Sequence, residues 1–258
     1  MPDSLRTAAA AALVMLCSSA AAAQSVDDVI ARHVAARGGI EKLRAVQTLK
    51  ITRTVVTPFS TLNVVTYKKR PDLYRAEQSA PGQPLIARGV NADGAWDGGP
   101  GGKPTMRTAA LAAEMREIEA DIDGLLIDWK EKGHTVALDG KVPLAPGHAY
   151  KLTVKTKIGA TRIIYLDAAT YLDRRHTGVL NLPPTAAAVK QLGDAAPPRR
   201  FDVVIDYGGW RAVEGVQFPF DIAEERTSAE PVQSFVSYTK SVEVNVPLDD
   251  AFFATPRQ

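Results

Sequence analysis

Tyr150-Lys151-Leu152-Thr153-Val154-Lys155-Thr156, a turn at Ile158-Gly159, and then Thr161-Arg162-Ile163-Ile164-Tyr165-Leu166 form the stretch on which the fold turns. Two short β-prone runs alternate apolar with polar positions on either side of a glycine turn, and that is the pattern of an antiparallel hairpin. The same pattern recurs in both directions. Towards the N-terminus, Leu49, Ile51 and Val55 fall on one face of a run, Leu62 and Val64 on one face of the next, and Leu73 opens a third after Pro71. Leu85 to Val90 and His134 to Leu138 follow. Towards the C-terminus come Phe201 to Tyr207, Val216 to Ile222, and Val232 to Val246 with a break. Asp93-Gly94, Asp139-Gly140, Gly208-Gly209 and Glu214-Gly215 read as further hairpin turns, because glycine supplies the positive φ that tight turns need. Roughly ten strands joined this closely leave no room for crossover helices, so the sheet is expected to be an antiparallel meander.

Helical periodicity occurs in three places. Ser25 is placed to cap a helix with Asp28 in its first turn, and Val26, Val29, Ile30, His33 and Val34 recur at helical spacing until Gly38-Gly39. Ile40 to Val46 reads as a second, short helix. Between Thr105 and Leu126, the residues Leu111, Met115, Ile118, Ile122 and Leu125 step by three and four, which predicts a helix lying across the sheet. Gly178 to Arg200, with Pro183-Pro184 and Pro197-Pro198 around an alanine-rich turn, reads as a surface excursion between two strands.

The chain has 258 residues, and its 31 Lys and Arg stand against 29 Asp and Glu, a net charge of +2. That balance carries no nucleic-acid footprint. Arg6, an apolar run from Thr7 to Cys17, and small residues ending in Ala21-Ala22-Ala23 before Gln24 have the layout of a secretory signal peptide, so residues 1–23 are expected to be removed and residues 24–258 to form a single domain. Cys17 is the sole cysteine. The mature chain therefore has neither disulfides nor thiolate metal ligands, and it is expected to be a soluble monomer.

Chemistry is harder to find. His33, His134, His148 and His176 lie in separate segments without metal-ligand spacing, and Asp27-Asp28 and Asp249-Asp250 read as helix-start charges. Gly98-Gly99-Pro100-Gly101-Gly102 lacks the Lys-Ser/Thr ending of a phosphate cradle, and no Gly-x-Ser-x-Gly elbow occurs. The expectation is a protein with no catalytic residues, no metal and no cofactor.

Several phrases, in order, are similar to the bacterial outer-membrane lipoprotein-sorting superfamily, the LolA/LolB-like proteins. They are Lys69-Arg70-Pro71-Asp72-Leu73-Tyr74-Arg75, then Val90-Asn91-Ala92-Asp93-Gly94-Ala95-Trp96 followed by Pro100, Asp121-Ile122-Asp123-Gly124, Tyr165-Leu166-Asp167-Ala168-Ala169-Thr170-Tyr171-Leu172, Gly215-Val216-Gln217-Phe218-Pro219-Phe220, and the ending from Val244 to Phe253. The resemblance implies a mainly β fold, an incomplete antiparallel β-barrel with covering helices that enclose an apolar cavity. It further implies a periplasmic, non-catalytic carrier or binding protein for a lipid or lipoprotein acyl chain. The alternative it leaves open is an envelope sensor or interaction module that binds a protein partner through the same fold, with the excursion at 178–200 as its docking element. In the carriers, the arginine matching Arg70 bonds backbone carbonyls of the covering helices, and the resemblance makes Arg70 a lid latch. Trp96, Met115 and Trp129 are the candidates for the ligand lining.

Overall fold

The computed structural model describes residues 24–98, 103–228 and 231–256. The signal-peptide reading of residues 1–23 and the middle of the glycine loop, 99–102, lie outside them. Helix α1 (Val26–Arg37) starts as its sequence predicts: Ser25 Oγ accepts from the Asp28 amide at 3.1 Å and the Asp28 carboxylate accepts from the Ser25 amide, a closed capping box. It stops at Gly38, whose φ is 122°. A Cβ there would lie 2.2 Å from the Gly215 carbonyl oxygen, so only glycine fits this close approach. Helix α2 (Ile40–Ala45) follows at once.

The strands are β1 (Thr48–Val56), β2 (Thr61–Lys69), β3 (Leu73–Ser79), β4 (Ile86–Asn91), β5 (Gly94–Gly98), β6 (Thr105–Met106), β7 (Thr135–Pro143), β8 (His148–Lys155), β9 (Thr161–Asp167), β10 (Asp173–Leu182), β11 (Arg199–Gly208), β12 (Arg211–Val213), β13 (Val216–Phe218), β14 (Asp221–Thr227) and β15 (Gln233–Val244). Thirteen make one antiparallel sheet in the order β6-β5-β4-β3-β2-β1-β15-β14-β11-β10-β9-β8-β7, and β12 and β13 form a separate hairpin. The sheet is not closed into a barrel. Two meanders therefore meet where β1 pairs with β15, and the single long jump runs from β6 at one edge to β7 at the other.

That jump carries helix α3 (Ala109–Met115), capped by Thr108, and then a π turn at Arg116–Ala120. The helix expected over Thr105 to Leu126 is thus much shorter. Thr105 and Met106 pair with β5, while Ile122 and Leu125 lie beyond the helical turns and still pack on the core. Apolar residues every third or fourth position mark burial here, and an irregular segment wrapped over a core supplies that burial without helix.

Four other expectations are corrected. Asp139-Gly140 is no hairpin: it lies inside β7, where the register against β8 slips between Leu138 and Gly140, and the positive φ of Gly140 makes a bulge. Gly178 to Leu182 belong to β10, and Arg199 and Arg200 open β11, so the excursion narrows to 183–198 around helix α4 (Ala186–Leu192). The run from Val216 to Ile222 divides at Pro219, and β15 runs unbroken with a register slip against β1.

Because side chains alternate, the register assigns each one to a face. On the inner face, Leu49, Ile51 and Val242, joined by Phe218 of the β12–β13 hairpin and Phe220 after it, pack against Leu43 of α2 and Ile127 of the jump. Leu152, Val154, Ile164 and Leu166 pack against Val29 and Ile30 of α1 and Leu126. A third cluster joins Tyr74, Ala76, Val90 and Ala95 to Ala112 and Met115 of α3.

Candidate functional site

Helix α3 bridges the two arms of the sheet. Its apolar side rests on β3 to β5, while its Glu114 pairs with Arg162 of β9 at 3.1 Å and accepts from Asn181 Nδ2 of β10 at 3.1 Å. A groove of about 540 Å³ runs along the flank of α3, lined by Ala110, Ala113, Ile158, Ala160, Val179 and Asn181.

The inner face itself divides in two. Its lower half, where β1 begins, is filled by the clusters just described. At its upper half, where β1 ends, Val55, Leu62, Val64, Ile205, Ile222 and Phe235 share the inner face by register with the Arg226–Glu224 ion pair, and these apolar residues are only half-buried and belong to none of the three clusters. The connections at the same end carry exposed apolar side chains: Phe59 is 90% exposed, Val232 57%, Ile86 53% and Leu192 49%. An apolar band thus leads to an apolar rim, which is the surface a protein normally hides.

Below this band, from the level of Leu49 to that of Arg53, the β1–β4 side of the inner face is charged. Arg53 of β1, Lys68 of β2 and Arg88 of β4 point inward, and Glu119 of the π turn enters to lie 3.5 Å from Arg88. Burial pushes the Lys68 ammonium and the Arg53 guanidinium down from their ordinary values, and burial raises the Tyr74 hydroxyl beside them to about 12. The side chains of Arg88 and Glu119 nevertheless keep 29% and 38% of their surface accessible, so these groups line a concavity rather than a sealed core.

Arg70 follows directly on β2 and faces the end of α2. Its Nε donates to the Val46 carbonyl at 2.7 Å and its Nη2 to the Leu43 carbonyl at 3.0 Å, satisfying carbonyls at the end of α2. The same guanidinium forks onto both carboxylate oxygens of Asp123 at 2.7 Å. The Asp123 side chain is 3% exposed, so Arg70 ties α2 and the jump to the sheet at once. The hydrogen bond to Asp123 holds the arginine even more firmly protonated than usual.

A second polar knot pins α1. His33 donates from Nδ1 to the Tyr171 carbonyl at 2.8 Å and faces Asp173 across 3.8 Å, and Asp173 also takes Arg37 at 3.7 Å and His176 at 2.8 Å. Burial drives the His33 pKa down. Burial also opposes ionisation of Asp173, but the surrounding His33, His176 and Arg37 outweigh it and hold that carboxylate far below the ordinary range.

The remaining candidates do not converge. Met115 is buried in the cluster beneath α3, and Trp129 packs against the α1 cluster with the Lys130 ammonium 4.9 Å over its ring. Trp96 pairs with Gly89 on the outer face, where Arg75 lies 5.7 Å over its ring and also 4.7 Å over that of Phe252 in the C-terminal turn. Gly89 leaves the space for it, since a Cβ at 89 would come within 2.7 Å of the indole. Arg53, Lys68, Arg88 and Glu119 were not singled out from sequence, although a cation spaced two residues from Ile51 and two from Val55 interrupts an otherwise apolar stripe.

No protein-family model matches the chain, and no curated protein matches it by sequence. Its fold is similar to solved structures of a LolA superfamily protein from Nitrosomonas europaea (TM-score 0.54, 10% identity, covering 90% of this chain and 98% of that one) and a DUF1329 family protein from Desulfovibrio piger (0.57, 13%, covering 90% and 98%). A putative outer membrane lipoprotein-sorting protein domain from Vibrio parahaemolyticus matches similarly (0.53, 9%, covering 88% and 94%). The fold is thus that of the LolA-like proteins, an incomplete antiparallel barrel with helices on its inner side.

Proposed function

We propose that this chain is a non-catalytic binding or carrier protein of the bacterial envelope, which holds a lipid or the acyl chain of a lipoprotein. The observation that carries the reading is the half-buried upper half of the inner face, an apolar band running out to an apolar rim. Burying an acyl chain there stabilises the complex by about 0.8 kcal/mol per CH₂, so a modest length of chain suffices for useful affinity. The similarity to an outer membrane lipoprotein-sorting protein domain supports an envelope location, and the layout of residues 1–23 is consistent with export. In this reading Arg70 acts as the latch: it holds α2 and the jump against the sheet, and its carbonyl bonds are what any opening of that cover must break. The test is to purify the protein from its own envelope and extract it for mass spectrometry. A lipid or acylated peptide retained through washing is expected. Repeated recovery without any apolar ligand overturns the reading.

A protein-binding role is favoured by one observation, helix α4, which has no buried residue and carries exposed Val189 and Leu192. Deleting 186–192 and comparing cross-linked envelope partners separates the two roles. Unchanged partners leave α4 a tolerated insertion.

A further inference from the structure

Arg53, Lys68 and Arg88 share the inner face with Glu119; Asp97, opposite Arg88, and Glu224, beside Ile205, also face inward, but Arg107 and Arg226 take them, so the three cations are not balanced. Arg53 donates a long 3.4 Å bond to Thr239 Oγ1, and Lys68 donates at 2.8 Å to the backbone carbonyl of Asp121. Among the described residues neither has a carboxylate within ion-pair distance. Arg88 reaches Glu119 at 3.5 Å and the Tyr74 hydroxyl at 3.3 Å, while its buried Nε has no hydrogen-bond partner among the described residues. Withdrawing such groups from water without a counter-charge disfavours the fold. An apolar residue at 53, like Ile51 below it and Val55 above it, would simply have extended the core.

The apolar band starts where the charge ends. Val64 lies directly opposite Arg53 in the β1–β2 ladder, and Val55 is the next inward residue of β1. We propose that Arg53, Lys68 and Arg88 bind the anionic headgroup of a single-chain amphiphile, a long-chain carboxylate, whose tail lies along the Val55–Val64 band towards the open end. This rests on the reading of that band as an apolar-chain site and adds the class of its occupant. A carboxylate accepts from the guanidinium forks and the ammonium together, and it supplies the acceptor that Arg88 Nε and the free donors of Arg53 lack. Glu119 does not neutralise three cations, and Asp97 and Glu224 are taken by Arg107 and Arg226, so the site favours a charged headgroup over an ester or alcohol with the same tail.

Dodecanoate, dodecanol, dodecyl phosphate and acetate titrated into the delipidated protein by calorimetry test this. Dodecanoate is expected to bind at least about tenfold more tightly than dodecanol, as charge-assisted hydrogen bonds imply. Acetate is expected not to bind at the same concentrations. In the double variant Arg53→Met, Lys68→Met, dodecanoate falls to the affinity of dodecanol while dodecanol is unchanged, and the melting temperature does not drop because two desolvated cations are gone. Equal affinity of the native protein for dodecanoate and dodecanol overturns the headgroup site while leaving the apolar site standing. Dodecyl phosphate outbinding dodecanoate tenfold overturns the carboxylate assignment, and acetate binding as tightly as dodecanoate makes this a free-anion site. If no long-chain compound binds, the apolar-chain reading falls and the headgroup site with it. A clear fall in melting temperature in the double variant makes the cations structural and overturns the proposal.

Discussion

The lower and upper halves of the inner face are built from the same strands, yet one is a closed core and the other is only half-buried. Leu49 and Ile51 of β1 are 2% and 6% exposed, whereas Val55, two inward positions beyond Ile51, is only half-buried. β-propensity does not change along the strand. What changes is the layer above it: α1, α2, Leu126 and Ile127 are gathered over the lower half, and Arg70 and the Asp173 knot tie that layer down. A chain of this length needs only one closed core to be stable, so the other half of the same sheet is free to hold something else.

That contrast can be broken first at the ties. Arg70→Leu strands the buried Asp123 carboxylate and leaves the carbonyls of Leu43 and Val46 without a donor. The expected loss is about 3–5 kcal/mol in urea unfolding, and adding Asp123→Leu should restore much of it. Lys69→Leu, whose ammonium pairs with the exposed Asp250, should cost under about 1 kcal/mol. Similar small losses from both single variants would show that the lower half is not held by this clamp.

Within the packed half, Leu152→Ala leaves a cavity beneath α1 and should cost about 2–5 kcal/mol, measured the same way. A loss below about 1 kcal/mol would mean that this half is as loosely filled as the other.

Acid should loosen α1 in two stages. His33 and Asp173 both have folded pKa values below their ordinary 6.5 and 3.8, so the unfolded chain binds protons more readily than the folded one in each case. Stability is therefore full above pH 6.5, begins to fall below it as His33 resists protonation, and falls further below 3.8 as Asp173 does. His134, its pKa also lowered by burial, adds to the same stage, so the His33→Gln variant should shrink the first stage and keep the second. An unchanged profile above pH 4 in that variant would remove His33 from the knot.

The smallest stability effect belongs to the open half. Val64→Thr and Ile222→Thr should each change stability by less than about 1 kcal/mol, because no cluster is broken. Dodecanoate binding should nevertheless weaken severalfold. A large stability loss with unchanged binding would reverse the assignment of the two halves.

Much of this was legible in the chain. Alternation in the runs around Leu49, Leu62, Leu152 and Ile164 marked strands, the glycines at 94, 159 and 215 marked turns, and Ser25 with Asp28 marked the start of α1, because each is decided by neighbours a few residues away. β10 was hidden, since Arg174, Arg175 and His176 break the apolar alternation. In space they are paired: Arg175 forks onto Asp206 of the adjacent strand, and His176 meets Asp173 and Tyr207. Arg70 was legible through its Lys-Arg-Pro setting, but its partner Asp123, 53 residues away, was not.

Sequence alone determined the class of fold, the antiparallel sheet and the helix that precedes it, because hydrophobic period and turn chemistry are local. Only the tertiary structure decided which half of the inner face is closed, that Trp96 belongs to the outer face, and that Arg53, Lys68 and Arg88 stand together. Those depend on strand register and on where the β6-to-β7 jump lands. A one-residue shift in register moves a side chain to the opposite face, and no local preference specifies it across such distances.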